Sequence, residues 1–543
     1  MKKTILTKSC LFVTLLILSG CSTGKTNEAE QENQPIRLMS ESELTTLDTS
    51  NMLDFPDAIV QTAAFEGLYA LDEEDEVIPA VAEEMPEISE DGKTYTIQLR
   101  EDASWSNDDP VTADDFEAAW KKMIDPENAL EYSFLLIDTM ENAEAISEGE
   151  KEVDELGVEA LDDHTLEIHL NEATPYFTSL LAFPTFFPQN QNAIEEFGED
   201  YGSSSETVVY NGPFVVENWD QSQTDWELTK NDKYWDQENV KADKIHYDVV
   251  KESSTALNLY NDGQLDVATL TGEMARQNLN HEDFEDYPTA TMNYIRLNQE
   301  RAGKDTPLKN EDLRKALALG VDKENLVNNV IADGSEPLHG AITKDFVSHP
   351  ETGKDFREDA GDLMKYDKDQ ALSYWKKAQE ELGDEITLEL LVTDEGNYKK
   401  MGESIQYQWQ DLFEGLTVNV KSMPTESALN LARDSDYDMF LIYWTPDYKD
   451  PISTLNTLYS GNDRNYSNET YDQLLDDASK KYANDPVKRW ETLIAAEKEV
   501  MEDTAGMISI SQNQQSVLQN SDISGMNYHT FAAPVTLKDV HRE

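Results

Sequence analysis

Residues 386–420 read ITLELLVTDEGNYKKMGESIQYQWQDLFEGLTVNV, and this stretch indicates the fold class of the second half of the chain. Residues 386–392 and 417–420 are short, apolar and rich in β-branched side chains, which is typical of strands. Residues 398–413 between them have the length of a helix. Two parallel strands joined through a helix adopt a right-handed crossover. The pattern therefore predicts a β–α–β unit and an α/β lobe in this half.

The rest of the chain also mixes strands with helices, and it contains no repeat of fixed period. Thr112 is expected to cap a helix that ends before Pro126, because a hydroxyl followed by acids stabilises a helix N-terminus. Residues 214–216 and 226–229 predict a hairpin. Further strands are predicted at residues 35–39, 93–100, 165–170, 265–267, 438–444 and 506–511, and further helices at residues 254–260, 311–320, 323–330 and 486–501.

The N-terminus carries an export signal, in which a basic region precedes the apolar residues 10–18. That run is too short to span a bilayer. It closes with Leu18-Ser19-Gly20-Cys21, which resembles the lipobox of bacterial lipoproteins. The resemblance implies cleavage after residue 20, lipid on Cys21, and a body anchored at the outer face of a cell membrane of the Gram-positive type. A secretory signal with a chance cysteine is the alternative.

Cysteine usage limits the chemistry of the mature body. Cys10 leaves with the signal and Cys21 carries the lipid, so no disulfide, thiolate zinc site, iron–sulfur cluster or cysteine nucleophile is expected. Residues 22–34 are polar and charged, and they predict a flexible stalk. The remaining length suits about three domains. No later apolar run approaches the length of a spanning helix.

The chain is strongly acidic, with 110 Asp and Glu against 43 Lys and Arg and a formal net charge of -67. Such a charge repels the phosphates of nucleic acids and of anionic lipids. We interpret it as a solvated surface that keeps the protein soluble, and not as an acidic binding site. No nucleic-acid partner is expected.

Catalytic and metal-binding motifs are missing from the sequence. The one G-x-S-x-G match, residues 20–24, lies in the processing site, and neither H-E-x-x-H nor a phosphate-binding loop occurs. Residues 434–438 read DSDYD and resemble half a calcium loop, but Met439 replaces the turn glycine, so these acids are interpreted as solvated. His164 and His169 are expected on opposite sides of a strand. We therefore expect a protein that is not an enzyme and holds no metal or cofactor.

A stronger signal comes from ordered segments along the whole mature chain. They are LD (47–48) with FEGLY (65–69), SEDGKTYT (89–96), WSN (105–107) with PVTADDF (110–116), LDDHTL (161–166), NGPF (211–214), NDKYWD (231–236), LRKAL (313–317), and WTPDY (444–448) with DP (450–451). In this order and spacing they resemble the extracytoplasmic oligopeptide-binding proteins of ABC importers, bacterial solute-binding family 5.

The resemblance implies a three-lobed α/β receptor of the periplasmic-binding-protein-like type II, in which lobes I and III close by a hinge around a peptide and lobe II is an extra domain on lobe I. The hinge is expected near residues 292–300 and 502–512. The implied divisions are the signal 1–20, a tether 21–35, lobe I at 36–69, 186–296 and 506–543, lobe II at 70–185, and lobe III at 297–505. The implied partners are an oligopeptide, the permease subunits of an ABC peptide importer, and the membrane through the lipid anchor, with the protein itself a monomer.

The same resemblance implies the binding residues. A peptide brings one invariant charge, its amino terminus, and burying that ammonium group without a partner is costly. Asp447 is the expected carboxylate partner of that group. The protein backbone beside the peptide is expected to form hydrogen bonds with the peptide backbone, as a neighbouring strand would. The other expected peptide-binding residues are Tyr443, Trp444, Thr445, Leu53 and Phe55, with Tyr132 and Thr269 near the site.

Several alternatives stay open at this stage. Tyr443 and Trp444 are equally compatible with core packing, and Asp447 with capping the following turn. Leu441 and Ile442 are apolar where some family members place basic residues for the peptide carboxylate, so recognition of one fixed peptide length is not expected. The same fold also suits a receptor for one signalling peptide. An extracellular hydrolase or chaperone is the alternative from another class.

Overall fold

The structure is a computed structural model that describes residues 34–394, 396–462 and 464–543. The predicted signal 1–20 and Cys21 lie outside the described residues, as does nearly all of the predicted tether. The elements below belong to one compact unit, Pro35–Glu543. None of the helices in the described ranges is long and apolar enough to cross a bilayer.

The largest sheet contains the predicted β–α–β unit. Its strands, in spatial order, are Val267–Leu270, Met507–Gln519, Phe284–Leu297, Met439–Trp444, Ile386–Thr393 and Leu416–Met423, and the short strand Glu336–Pro337 also pairs with Met507–Gln519. Ile386–Thr393 and Leu416–Met423 pair in parallel, with helix Tyr398–Leu412 between them in sequence. The predicted β–α–β unit is therefore confirmed.

Two four-stranded sheets lie in the first half of the chain. One has the order Ile36–Ser40, Lys244–Val249, Asp225–Lys230 and Phe214–Glu217, and the other Glu87–Ile88, Thr94–Gln98, Thr165–His169 and Val158–Asp162. Phe214–Glu217 and Asp225–Lys230 pair antiparallel, as the predicted hairpin requires. Two-stranded ribbons complete the strands: Tyr69–Leu71 with Val77–Pro79, Glu300–Arg301 with Lys304–Asp305, Ile523–Ser524 with His541–Arg542, and Asn527–Tyr528 with Val535–Thr536.

Seventeen α-helices lie in the described ranges. They are Phe55–Ala64, Ala113–Ile124, Ser133–Ile137, Ala143–Ser147, Phe177–Leu180, Gln191–Phe197, Ser253–Asn261, Gly272–Asn278, Glu311–Leu319, Lys323–Leu326, Phe356–Ala360, Lys368–Leu382, Tyr398–Leu412, Thr425–Arg433, Pro451–Leu455, Glu469–Asp476 and Pro486–Lys498. The predicted start at Thr112 is confirmed, because its backbone N–H donates to the Asp115 carboxylate at 3.0 Å.

Two predicted helices end earlier than expected. The helix predicted at residues 323–330 is α-helical only to Leu326 and then widens into the π-helical turn Val327–Ile331, which closes at Ala332 with a left-handed φ of 51°. The helix predicted to residue 501 likewise ends at Lys498 and continues as the π-helical turn Glu499–Asp503. Apolar periodicity continues through such wider turns, so the sequence pattern does not mark the change.

The strand predicted at residues 265–267 also begins later, at Val267. The Asp266 side chain is fully buried, accepts a hydrogen bond from the Arg37 backbone N–H at 2.8 Å, and pairs with the guanidinium groups of Arg37 and Arg542. This polar anchor occupies the segment that the apolar pattern had suggested as strand.

A separate hydrophobic core lies within residues 295–510 and includes the faces of the β–α–β unit. The long antiparallel strands Phe284–Leu297 and Met507–Gln519 each contribute residues to this core from one end only, Ile295 and Leu297 from the first strand and Ile508 and Ile510 from the second. The predicted hinge positions fall at these strands. That these strands act as a hinge stays a prediction.

Candidate functional site

The segment that follows strand Met439–Trp444 forms one side of a cavity. This strand pairs along its whole length with Met292–Leu297 on one side. On the other side it pairs with Ile386–Thr393, but only from Met439 to Leu441. The strand then continues past that pairing to the cavity. Residues 445–447, which read TPD, come directly after it.

The cavity has a volume of about 250 Å³. Seven of the eight predicted peptide-binding residues line it: Leu53, Phe55, Tyr132, Tyr443, Trp444, Thr445 and Asp447. Their sequence positions span almost 400 residues, so the fold brings together segments that only the family resemblance had linked. The role of each residue in binding stays a prediction.

Thr269 does not line this cavity. It lies opposite Val517 in the large sheet and borders a separate cavity of about 50 Å³. The structure gives no support to its predicted place near the site. Thr269 and Tyr132 were the two less securely matched positions, and of these only Tyr132 lines the cavity.

The cavity also has lining residues that the sequence did not single out as binding residues: Met52, Asp54, Ala58, Phe183, Pro446 and Ala532. Asp54 lies between the predicted binding residues Leu53 and Phe55, so its sequence position gave a signal. Phe183 and Ala532 come from distant parts of the chain and carry no local signal.

Three large apolar side chains at the cavity are exposed, which is unusual for residues of their kind. Leu53 is 51% exposed, Phe55 is 44% exposed and Tyr443 is 48% exposed. Clustered exposed apolar surface marks an interaction site more often than isolated exposed residues do. Core packing is therefore excluded as the explanation for Tyr443.

Trp444 combines packing with a place at the cavity. Its ring is half-buried against the main core, and the Arg464 guanidinium lies 5.2 Å from the ring centroid. The indole N–H is buried and has no hydrogen-bond partner among the described residues. Thr445 is held by a 2.8 Å hydrogen bond between its hydroxyl and that of Thr291. These contacts fix the segment that leads to Asp447.

Asp447 is the main charged group of the cavity. Its backbone N–H donates to the Ser453 hydroxyl at 3.1 Å, whereas its carboxylate forms no ion pair with any Lys, Arg or His in the described ranges. Burial raises the pKa of Asp447 to about 7, because a desolvated carboxylate without a cation is disfavoured. A bound cation would relieve this cost.

The proposal that Asp447 caps the following turn is wrong. The N-cap of helix Pro451–Leu455 is Asp450, whose side chain accepts from the Ile452 backbone N–H at 2.9 Å. Asp450 also forms two hydrogen bonds with the Arg489 guanidinium, at 2.6 and 2.9 Å. The capping role belongs to Asp450, and the carboxylate of Asp447 is left for the cavity.

Tyr132 lines the same cavity as Asp447. Burial raises the pKa of the Tyr132 hydroxyl, and the negative charges of Asp447 and Asp54 raise it further. Its ring packs against Phe183 with centroids 5.3 Å apart. The hydroxyl is therefore a neutral donor within the field of both carboxylates.

Leu441 and Ile442 cannot take the place of the basic residues that precede this motif in some relatives. Leu441 is fully buried and Ile442 is only 5% exposed. Both contribute to the hydrophobic cores of the protein. No cationic side chain is among the residues that line the cavity.

Three of the side chains considered for metal binding, those of Asp436, Asp438 and His169, have other partners. Asp436 and Asp438, interpreted as solvated acids, instead pair with the Arg301 guanidinium at 2.7 and 3.3 Å. The interpretation was wrong for Asp438, whose side chain is 16% exposed, because its partner Arg301 is remote in sequence; Asp434 is exposed and Asp436 remains about half exposed. His169 contacts Glu167 at 3.1 Å. Within the described ranges no three His, Cys, Asp or Glu side chains are grouped so as to hold a metal ion.

Comparison with known proteins identifies the class. A model of the bacterial extracellular solute-binding proteins, family 5 (middle region), matches residues 76–466. The chain therefore belongs to this family of bacterial extracellular solute-binding proteins. The family resemblance inferred from the ordered motifs is confirmed.

Individual relatives agree with this assignment. A dipeptide-binding protein of Lactococcus lactis subsp. cremoris is 30% identical over 97% of this chain and 98% of its own length. The structure of Listeria monocytogenes OppA bound to peptide is 37% identical, has a TM-score of 0.80, and covers 94% of this chain and 99% of that one. The pheromone receptor PrgZ gives the same identity and TM-score, covering 94% and 100%. The predicted α/β hinge-closing fold class is confirmed.

Proposed function

We propose that this protein is a membrane-tethered extracellular receptor that captures oligopeptides between two closing lobes and delivers them to an ABC importer. The observation that carries the proposal is the Asp447 carboxylate, which lies in an apolar cavity without a cationic partner in the described chain. Relatives named for dipeptide and oligopeptide binding support the ligand class. The importer role rests on the family to which the chain belongs.

The peptide amino terminus is the cation that fits this arrangement. Every unblocked peptide has an ammonium group, whatever its side chains are, so one carboxylate anchors many sequences. Charge-assisted hydrogen bonds of this kind are short and strong when water is excluded. The exposed surfaces of Leu53, Phe55 and Tyr443 would then be covered by the peptide. Such a site favours peptides as a class over any single sequence.

Closure would proceed by a hinge at the long strands Phe284–Leu297 and Met507–Gln519, with the proposed lobes I, II and III as divided above. Contacts beside the cavity already join proposed lobe II to proposed lobe III. The rings of Tyr176 and Tyr448 stack with centroids 4.2 Å apart, and the Lys449 ammonium contacts the Asp75 carbonyl at 2.8 Å and Glu76 at 2.9 Å. A peptide that contacts both sides would add to these contacts and favour the closed form.

The second candidate is a receptor for one specific signalling peptide. The similarity to the pheromone receptor PrgZ favours this candidate, because that protein has the same fold over the same length. The two functions share a site and a mechanism, and they differ in the range of peptides bound.

The proposed tether rests on Cys21 and on the lipobox that contains it. Two acyl chains hold a protein stably at a membrane, whereas one chain holds it only marginally. The variant Cys21→Ser should lose labelling by a fatty acid and leave the membrane fraction, or accumulate as uncleaved precursor. Persistent fatty-acid labelling of that variant would contradict the tether.

The function is tested most simply by identifying what the protein carries. The protein is purified from its natural host, denatured, and the released small molecules are analysed by mass spectrometry. A mixture of peptides is expected for the importer receptor, and one dominant peptide for the signalling receptor. Release of a compound that is not a peptide, together with failure to bind added tri- to octapeptides in calorimetry, would overturn both.

A further inference from the structure

A second carboxylate, that of Asp54, lies in the same cavity as Asp447. Asp54 is the N-cap of helix Phe55–Ala64, and one of its oxygens accepts from the Asp57 backbone N–H at a long 3.3 Å. No ion pair compensates its charge in the described part of the chain. Capping therefore uses one oxygen weakly and leaves the carboxylate charge at the cavity.

The neighbouring carboxylate of Asp57, in contrast, is fully engaged in hydrogen bonds within the protein. Asp57 is completely buried and accepts hydrogen bonds from the Thr45 backbone N–H at 2.8 Å, the Thr45 hydroxyl at 2.5 Å and the Leu53 backbone N–H at 3.2 Å. Asp57 thus ties the Leu53 segment to the helix. Asp54 is not needed for that task.

The carboxylates of Asp54 and Asp447 both contribute negative charge to the same cavity. Burial, followed by the charge of Asp57, raises the pKa of Asp54. The charges of both Asp447 and Asp54 raise the pKa of the Tyr132 hydroxyl, which places this hydroxyl within the field of both. One peptide ammonium neutralises one carboxylate, so a second negative charge remains in a cavity with no cationic lining residue.

We propose that Asp54 makes this receptor selective for peptides that carry a Lys or Arg side chain within their first two residues. The α-ammonium group pairs with Asp447 while the basic side chain pairs with Asp54. The apolar stem of such a side chain suits the walls formed by Met52, Phe55 and Tyr132, and aromatic faces attract the cation itself. This inference rests on the proposed function and narrows its substrate class.

The test compares matched peptides on matched proteins. Lys-Ala-Ala and Ala-Lys-Ala are titrated calorimetrically into the wild type, alongside the same peptides with norleucine, which has a similar stem and no charge. The variant Asp54→Asn removes the charge and keeps a good N-cap residue, and Asp54→Ser is a second variant that also caps. Melting curves of the variants confirm that the helix start is intact.

We expect the wild type to bind at least one lysine peptide about tenfold or more tightly than its norleucine counterpart. Both variants should lose that preference and bind the norleucine peptides as the wild type does. Equal binding of lysine and norleucine peptides by the wild type, or a preference that survives in both variants, would overturn the role of Asp54 while leaving the peptide receptor intact. Failure of all four tripeptides to bind would overturn this inference, and together with release of a compound that is not a peptide from the natural protein it would overturn the proposed function as well.

Discussion

Asp447 and Asp450 lie three residues apart in one loop, and their surroundings are opposite. Asp450 is 6% exposed, caps helix Pro451–Leu455 and forms a two-point ion pair with Arg489. Asp447 borders the cavity, has no cationic partner among the described residues, and has a pKa raised to about 7 by burial. One charge is compensated within the protein, and the other awaits compensation from outside.

The contrast separates stability from binding within a single loop. Removing one member of a buried ion pair strands the other, so Asp450 should matter for folding. Removing an uncompensated carboxylate takes away a desolvation cost, so loss of the Asp447 charge should weaken ligand binding without destabilising the fold. A carboxylate retained against its own desolvation is a sign of function.

The largest effect is expected from Asp450→Ala. This change leaves the Arg489 guanidinium, 7% exposed as a residue, without its partner and also removes the helix cap. Loss of about 3 to 5 kcal/mol in the free energy of unfolding is expected, measured by denaturant titration. The control is Asp447→Ala in the same loop, which should not be destabilised. Similar unfolding curves for Asp450→Ala and the wild type would contradict the stabilising role given to Asp450.

The opposite sign is expected for Asp447→Asn in the unliganded protein. Because the folded-state pKa of Asp447 is raised to about 7, its contribution to stability is fully present below the unfolded pKa near 4 and is lost as the pH rises through 7. The variant should therefore be more stable than the wild type above pH 7, by about 1 to 3 kcal/mol. The difference should vanish near pH 4, and an equal difference at both pH values would contradict it.

Peptide affinity should also depend on pH. The ammonium group pairs with the ionised carboxylate, so binding lowers the pKa of Asp447 from about 7. Affinity should fall about tenfold for each unit of pH below 7, and it should fall again above about 8 as the peptide amine loses its proton. Calorimetry from pH 5 to 9 measures both limbs. The acid limb should disappear in Asp447→Asn, and its persistence there would assign it to another group.

The smallest effect concerns Tyr448, which lies between the two aspartates in sequence. Its stack with Tyr176 joins the proposed lobes II and III. Aromatic pairs contribute about 0.5 to 1.5 kcal/mol beyond burial, so Tyr176→Leu should weaken peptide binding about fivefold and make the unliganded protein more open in small-angle scattering. Tyr176→Phe, which keeps the ring, is the matched control. Identical scattering for the leucine variant and the wild type would exclude a role in closure.

Local patterns predicted much of the fold. The β–α–β unit, the hairpin at Phe214–Glu217 and the helix start at Thr112 follow from periodicity and capping, which are properties of neighbouring residues. The π-helical turns after Leu326 and Lys498 were missed, because apolar spacing does not distinguish them from a continuing helix.

The site was predictable only where motifs surround it. Asp447 lies in such a segment and Leu53 lies between two of them, LD (47–48) and FEGLY (65–69), and both residues line one cavity. Phe183 and Ala532 reach the cavity through the fold alone, and Arg301 finds Asp436 across more than a hundred residues. Contacts of this range depend on packing that no window of sequence contains.

The proposed binding mode requires Asp447 to be the partner of the peptide ammonium group. Calorimetry with one tripeptide and its N-acetylated form, on the wild type and on Asp447→Ala, isolates that pairing as a double-mutant cycle. Truncating one partner of a buried charge pair costs on the order of 2 to 5 kcal/mol. The free peptide should therefore bind the variant about thirtyfold or more weakly, while the acetylated peptide binds both proteins poorly and nearly equally. Equal affinity of the wild type for the free and the acetylated peptide would show that Asp447 does not bind the peptide ammonium group.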